Sequence, residues 1–270
     1  MKKTAIFIGV LLSTSIISNA QNLIKVQNGQ KTQLVTTTIS TIKQNAMGQE
    51  IELKSDVSMN IDVEIKATTP DFNLTHTIKR IQVKSEGMGQ SMSFDSDKKD
   101  DRENQIGQLL SGVLDKSLEF HISNNGITGE IKLEDQSLNA AKNLLGDFDE
   151  INDEVLLAYP KTINIGDQWI NELNKDANNK SKIEYIAKSV VNDEVVLSFK
   201  GSIKKKQNKS MQGMDATVTS SSILNGELTL NIKTGLIKNK SSEANAKGTT
   251  EIMGQTIPFT LTKSIHSSTK

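Results

Sequence analysis

Three histidines, His76, His121 and His266, carry all the imidazole chemistry available to this chain, and they lie far apart. None forms a His-x-x-x-His or His-Glu-x-x-His pair, the spacing that sets two ligands on one side of a helix for zinc. There is no cysteine, so thiol nucleophiles, cysteine-bound metals, disulfides and cysteine-linked lipid are all excluded. Neither a Gly-x-Ser-x-Gly elbow nor a phosphate-cradling glycine loop occurs. Asp95-Ser96-Asp97, with Asp100 and Asp101, has the acid density of a calcium loop. It lacks the glycine turn and closing glutamate that such a loop needs, and reads as a strand-to-helix linker with an aspartate cap. Met88 with Met92, and Met211 with Met214, offer thioethers to Cu(I). A copper site needs further soft ligands, so these methionines read as adaptable packing and a Met-based copper binder is a minor reading. Trp169, the single tryptophan, follows a Gly166-Asp167 turn and reads as a core anchor. The expectation is a protein with no catalytic, cofactor or metal residues, and not an enzyme.

What the sequence does specify is strands. From Ile51 to Ile65 every odd position except Ser55 is apolar, and the even positions between are polar. A period of two sustained over this length predicts one amphipathic strand of roughly 50 Å at about 3.3 Å per residue. After the Thr69-Pro70-Asp71 turn a second strand carries Phe72, Leu74 and Ile78, and its phase slips between Lys79 and Ile81, as at a β-bulge. Val57, Met59, Ile61, Val63, Phe72 and Leu74 therefore share one dry face, the candidate ligand-binding face. The fold class expected is mainly β: a long, curved antiparallel sheet, or an incomplete barrel, with two amphipathic helical segments.

Helical spacing of Ile106, Leu109, Leu110, Val113 and Leu114 predicts a helix over 102–115, and residues 136–158 read as a second helical stretch. Tyr159-Pro160 ends it, since the residue before proline disfavours helix. Asn124-Asn125-Gly126 predicts a hairpin turn leading to Ile127, Ile131 and Leu133. Met-Gly-Gln occurs three times, at 47–49, 88–90 and 253–255, each between strand-like stretches. Leu114 to Ile122 can be laid on Leu224 to Ile232, which reads as a diverged duplication. The organisation expected is a signal peptide over 1–20, a first β-rich half over 21–135, a helical connector over 136–159 and a second β-rich half over 160–270.

The leader rests on Lys2 and Lys3, the short apolar run Ala5 to Leu12 and the small residues of Ser18-Asn19-Ala20. Its apolar run is too short to span a bilayer, so cleavage before Gln21 is expected, with export to the periplasm or the cell exterior. Losing Lys2 and Lys3 leaves 30 basic against 32 acidic residues, a net charge of −2. That balance argues against nucleic acid and anionic membranes as partners. The run Lys204-Lys205-Lys206 with Lys209 reads as a solvated hairpin tip. Aromatic residues make up 4 % of the chain, too few for the girdles of a transmembrane barrel.

Four stretches carry a resemblance: Ala46-Met47-Gly48-Gln49-Glu50, Phe94-Asp95-Ser96-Asp97, Tyr159-Pro160 through Gly166-Asp167-Gln168-Trp169, and Thr234-Gly235-Leu236-Ile237. In these the chain resembles a family of exported, β-rich proteins of unknown function from Gram-negative bacteria. The resemblance implies a β-rich domain behind a signal peptide and brings no activity. Many members of that family carry a lipid-attachment cysteine after the leader, which this chain lacks.

Function then rests on architecture. The leading expectation is a non-enzymatic module of the cell envelope binding a lipid or other apolar ligand between the sheet and its helices, by analogy with periplasmic lipid and lipoprotein carriers. It expects an apolar pocket at the six residues of the dry face; tight packing there would remove it. The alternative is a structural or protein-interaction component of the envelope, with an exposed strand edge open to pairing.

Overall fold

A computed structural model describes residues 23–46, 49–68, 71–123, 141, 145, 149–174, 176–211 and 214–270. The strand predicted from alternation is the longest element: β2, Gln49–Thr68. Before it runs β1 (Gln30–Ala46), and after it β3 (Asp71–Gly87), β4 (Gln90–Asp95) and β5 (Ser117–Ile122). Beyond the connector come β6 (Gln168–Asn174), β7 (Lys180–Val191), β8 (Glu194–Met211), β9 (Met214–Asn231), β10 (Ile237–Ile252) and β11 (Gln255–Thr269). All pair antiparallel in one sheet of 11 strands, ordered β4-β3-β2-β1-β11-β10-β9-β8-β7-β6, with β5 also on β3. The sheet is open: β4 and β6 end the order and do not pair with each other. Each half of the chain is a meander, and β1 against β11 is the seam that joins the two.

Local chemistry explains the turns. Met88-Gly89 and Met253-Gly254 connect β3 to β4 and β10 to β11, with φ of 53° and 74°, and of 50° and 75°. Positive φ at both central residues is the two-residue hairpin turn whose twist suits the flanking strands. The phase slip at Lys79 is a bulge, since the β2–β3 register shifts where Asn60 and Ile61 meet Arg80 and Ile78. Met47-Gly48, the Asn124-Asn125-Gly126 turn and the stretch with Ile127, Ile131 and Leu133 lie outside the described residues.

The first expected helix is divided in two. Instead of one helix over 102–115 there are α1 (Lys99–Glu103) and α2 (Gln105–Leu110). Asn104 divides them: its extended backbone breaks α1, and its side-chain oxygen accepts from the N–H groups of Ile106 and Gly107. Of the stretch 136–158, the described residues Ala141 and Leu145 are helical, as is α3 (Asp149–Asn152); from Asp153 on the chain is not. There Ile237 N donates to Val155 O at 2.9 Å, and Leu156 and Tyr159 bridge to Leu236 and Leu23. Tertiary partners thus satisfy backbone groups that a helix would otherwise use.

One face of the sheet carries the core. Near β1–β5 it packs Leu34, Ile61, Ile65, Leu74, Ile81 and Phe120 against Leu110 and Val113 beside α2 and against Ile151, Val155 and Leu156 of the connector. Near β6–β9 it packs Trp169, Tyr185, Leu197, Phe199 and Leu230 against Leu157 and Tyr159. Trp169 is the anchor expected, stacked on Tyr185 with centroids 5.5 Å apart. This is the inner face.

Candidate functional site

Alternation assigns each residue of these strands to a face. On β8 the inner positions run Val195, Leu197, Phe199, Gly201, Ile203 and Lys205, so the middle lysine of the basic run points inward and is part-exposed, while Lys204 and Lys206 are exposed on the other side. The run lies within the strand. That corrects the solvated hairpin tip expected from composition. On β11 the inner positions include Phe259, Leu261, Lys263, Ile265 and Ser267. On β10 they include Lys240, Ser242, Ala244, Ala246 and Gly248.

The connector meets these lysines with its own acids. Glu150 on α3 takes Lys205 Nζ at 2.6 Å and Lys263 Nζ at 2.8 Å on its two oxygens. Burial pushes the Glu150 carboxyl up, and Lys263 and Lys205 overcome this and hold it down at about 2. Four residues on, Glu154 takes Lys240 Nζ at 2.7 Å and the Ser267 hydroxyl at 2.7 Å. Lys240 Nζ also donates to the Asp153 carbonyl. A charged side chain placed mid-sheet has to be paired to stay there, and the connector supplies both acids.

The six residues of the predicted face are brought together. Val57, Met59, Ile61 and Val63 on β2 and Phe72 and Leu74 on β3 all belong to the first core cluster, none more than 8 % exposed. A ligand would reach them only by displacing packed side chains. Towards the start of β2, and on β1, β8 and β11 at the same level, the inner face is more open. Ile42, Ile51, Leu53, Ile203, Phe259 and Leu261 are each part-exposed there. Register sets Ile42 against Leu53 and Leu261, and sets Gln44 against Ile51 and Phe259. This apolar stretch adjoins Lys205 and Lys263.

Other groups singled out by sequence have structural partners. The Asp97 N–H, Gln82 and Arg80 hold the Asp95 carboxyl at about 2, and Arg80 also pairs with Asp97 at 2.8 Å. That is a linker braced by arginine. His121 touches Asn73 and Asp71 at 3.0 and 3.2 Å, and His266 is exposed on the outer face. His76 is buried, tilted against Phe120, with neither ring nitrogen hydrogen-bonded. Among the described residues no group of three or more histidine, aspartate or glutamate side chains is placed to hold a metal, and no helix is long and apolar enough to cross a membrane. On the outer face a depression of about 450 Å³ lies over β1, β11, β10 and β9, lined by Thr37, Thr229, Asn239, Ser241 and His266 among others. Its lining mixes polar and apolar groups and gathers no chemistry.

Among solved structures, lipovitellin, in a structure described by its lipid–protein interactions, matches with a TM-score of 0.50 and 14 % identity. The match covers 91 % of this chain and 25 % of that one, so the chain spans a quarter of its length. The likeness is one of fold. The OccK2 (OpdF) protein of Pseudomonas aeruginosa, in complex with glucuronate, aligns over 90 % of this chain and 100 % of its own at 5 % identity. Its TM-score of 0.25 is too low to imply a common fold. No curated protein matches. A family model, the Family of unknown function (DUF6263), matches twice, over residues 69–158 and 148–237. Since the two matches together span well over half of its 270 residues, the chain belongs to this family.

Proposed function

We propose that this is an exported, non-enzymatic protein of the cell envelope that binds an apolar ligand on the inner face of its sheet. The observation that carries the reading is the part-exposed apolar stretch of Ile42, Ile51, Leu53, Ile203, Phe259 and Leu261 beyond the packed core. Apolar surface left open on the face that elsewhere forms the core gains free energy from any apolar occupant, at about 25 cal/mol per Å² removed from water. Export rests on the leader, with its Lys2-Lys3 start and Ser18-Asn19-Ala20 end. Lipovitellin, a quarter of which resembles this fold, is described by its lipid–protein interactions, and this favours a lipid among apolar ligands.

The test is native mass spectrometry of the protein purified from a Gram-negative periplasm, before and after extraction with organic solvent. An extra mass that leaves on extraction supports the reading and gives the ligand's class. A ligand-free mass, with no uptake of added lipid, overturns it in favour of the protein-interaction component.

A further inference from the structure

The two acids of the connector are held differently. Glu154 and Lys240 are nearly dry, their side chains 7 and 13 % exposed, and Ser267 completes the site. Glu150 is 41 % exposed, Lys205 35 % and Lys263 25 %. A dry, fully bonded pair is a fixed anchor. A part-exposed pair can be reached from solvent, so another anion can compete for it. Lys205 and Lys263 thus form a clamp that already shows its fit to a carboxylate: two ammonium groups, one on each oxygen.

Register places that clamp beside the open apolar stretch. Lys205 pairs across β9 with Ser220, then Gly248 on β10 and Phe259 on β11. Lys263 pairs with Ser40 on one side and Ala244 on the other. The residues between the two lysines are therefore small, and the apolar side chains Leu261, Phe259 and Ile42 begin next to them. Positive head-site and apolar floor are contiguous on one face.

We propose that the ligand is a single-chain amphiphile with an anionic head, of the fatty-acid type, whose carboxylate takes the place of Glu150 between Lys205 and Lys263 while its tail lies over Leu261, Phe259 and Ile42. This rests on the apolar-ligand reading above and adds the head-group to it. Glu150 occupies the clamp in the empty protein, one oxygen on each ammonium. Glu154 keeps the connector anchored when Glu150 is released.

The experiment is calorimetric titration of the full-length exported protein with dodecanoate and with dodecan-1-ol, below their aggregation limits. Dodecanoate is expected to bind at least tenfold more tightly than the alcohol. Lys205→Met and Lys263→Met should each erase that preference and leave alcohol binding unchanged, which also shows that the variants are folded. Glu150→Gln should tighten dodecanoate several-fold, because the competing carboxylate is gone. Equal affinity for acid and alcohol in the parent, or no gain in Glu150→Gln, overturns the head-group assignment and leaves the apolar-ligand reading standing. Binding of neither probe overturns both.

Discussion

The Lys240 ammonium and the Glu154 carboxylate meet at 2.7 Å, the driest ion pair among the described residues, and join the connector to the middle of the sheet. Lys240 also lies over the Phe199 ring, 5.9 Å from its centroid. Removing one partner strands a charge in a site with little water, a loss of about 3–5 kcal/mol for buried pairs. Lys240→Met is therefore expected to lower the urea unfolding free energy at pH 7 by an amount in that range. The double variant Lys240→Met with Glu154→Gln should recover most of it. Two additive losses would mean that the pair is not coupled.

His76 predicts a pH dependence. Burial against Phe120 holds its imidazole at about 3, against an ordinary 6.5. Below pH 6.5 the unfolded chain takes up a proton that the folded chain refuses until about pH 3. Stability is therefore full above 6.5 and falls as the pH drops, by about 1.4 kcal/mol per unit within the window. Carboxylates also titrate as the pH falls, so the parent curve alone mixes several contributions. In His76→Leu only the histidine contribution is removed. The difference in unfolding free energy between variant and parent should grow steadily from pH 6.5 down to 5. A difference independent of pH would contradict a neutral buried His76.

Two glycines separate backbone conformation from crowding. Gly89 and Gly235 have φ of 74° and 73°, but a Cβ at Gly89 meets open space, whereas at Gly235 it runs into the Lys25 carbonyl. Gly89→Ala should cost only the left-handed backbone penalty, about 1–2 kcal/mol. Gly235→Ala should cost clearly more, because the segment through Lys25 has to move as well. Thermal unfolding of the two variants side by side decides this, and equal shifts would refute the close approach.

Leu261→Gln tests the open stretch apart from the lysines. Leu261 is part-exposed between Ile42 and Ala246, so the polar swap should cost about 1 kcal/mol of stability or less, in the range of substitutions outside a tight core. Uptake of dodecan-1-ol should nonetheless fall several-fold, read by the same titration. Unchanged uptake would place the ligand elsewhere.

How much of this was legible in the sequence depends on range. The strand through Ile51 to Ile65, the bulge at Lys79 and the Met-Gly turns are set by near neighbours, and alternation and backbone preference exposed them. The split helix was visible only in Asn104, a capping residue inside an apparently continuous helical period. Lys205 was misplaced because a run of three lysines reads as solvated by composition. Its phase with Val195, Leu197, Phe199 and Ile203 already pointed it inward. Lys263, between Leu261 and Ile265, carried the same signal. No local pattern links either lysine to Glu150, since that partnership exists only once β11 and β8 share a sheet with the connector across it.

The seam between β1 and β11 also dictates an order of assembly. Every other strand pair except β3 with β5 joins consecutive strands, so their hairpins close over short loops. At the seam, Thr32 bonds to Lys270 across 238 positions, and its closure has to wait for the last strand. Contacts that distant carry the largest loop-closure entropy and slow folding. The two meanders should form first and dock afterwards, with the amides shared by β1 and β11 the last to gain protection when exchange is followed during refolding.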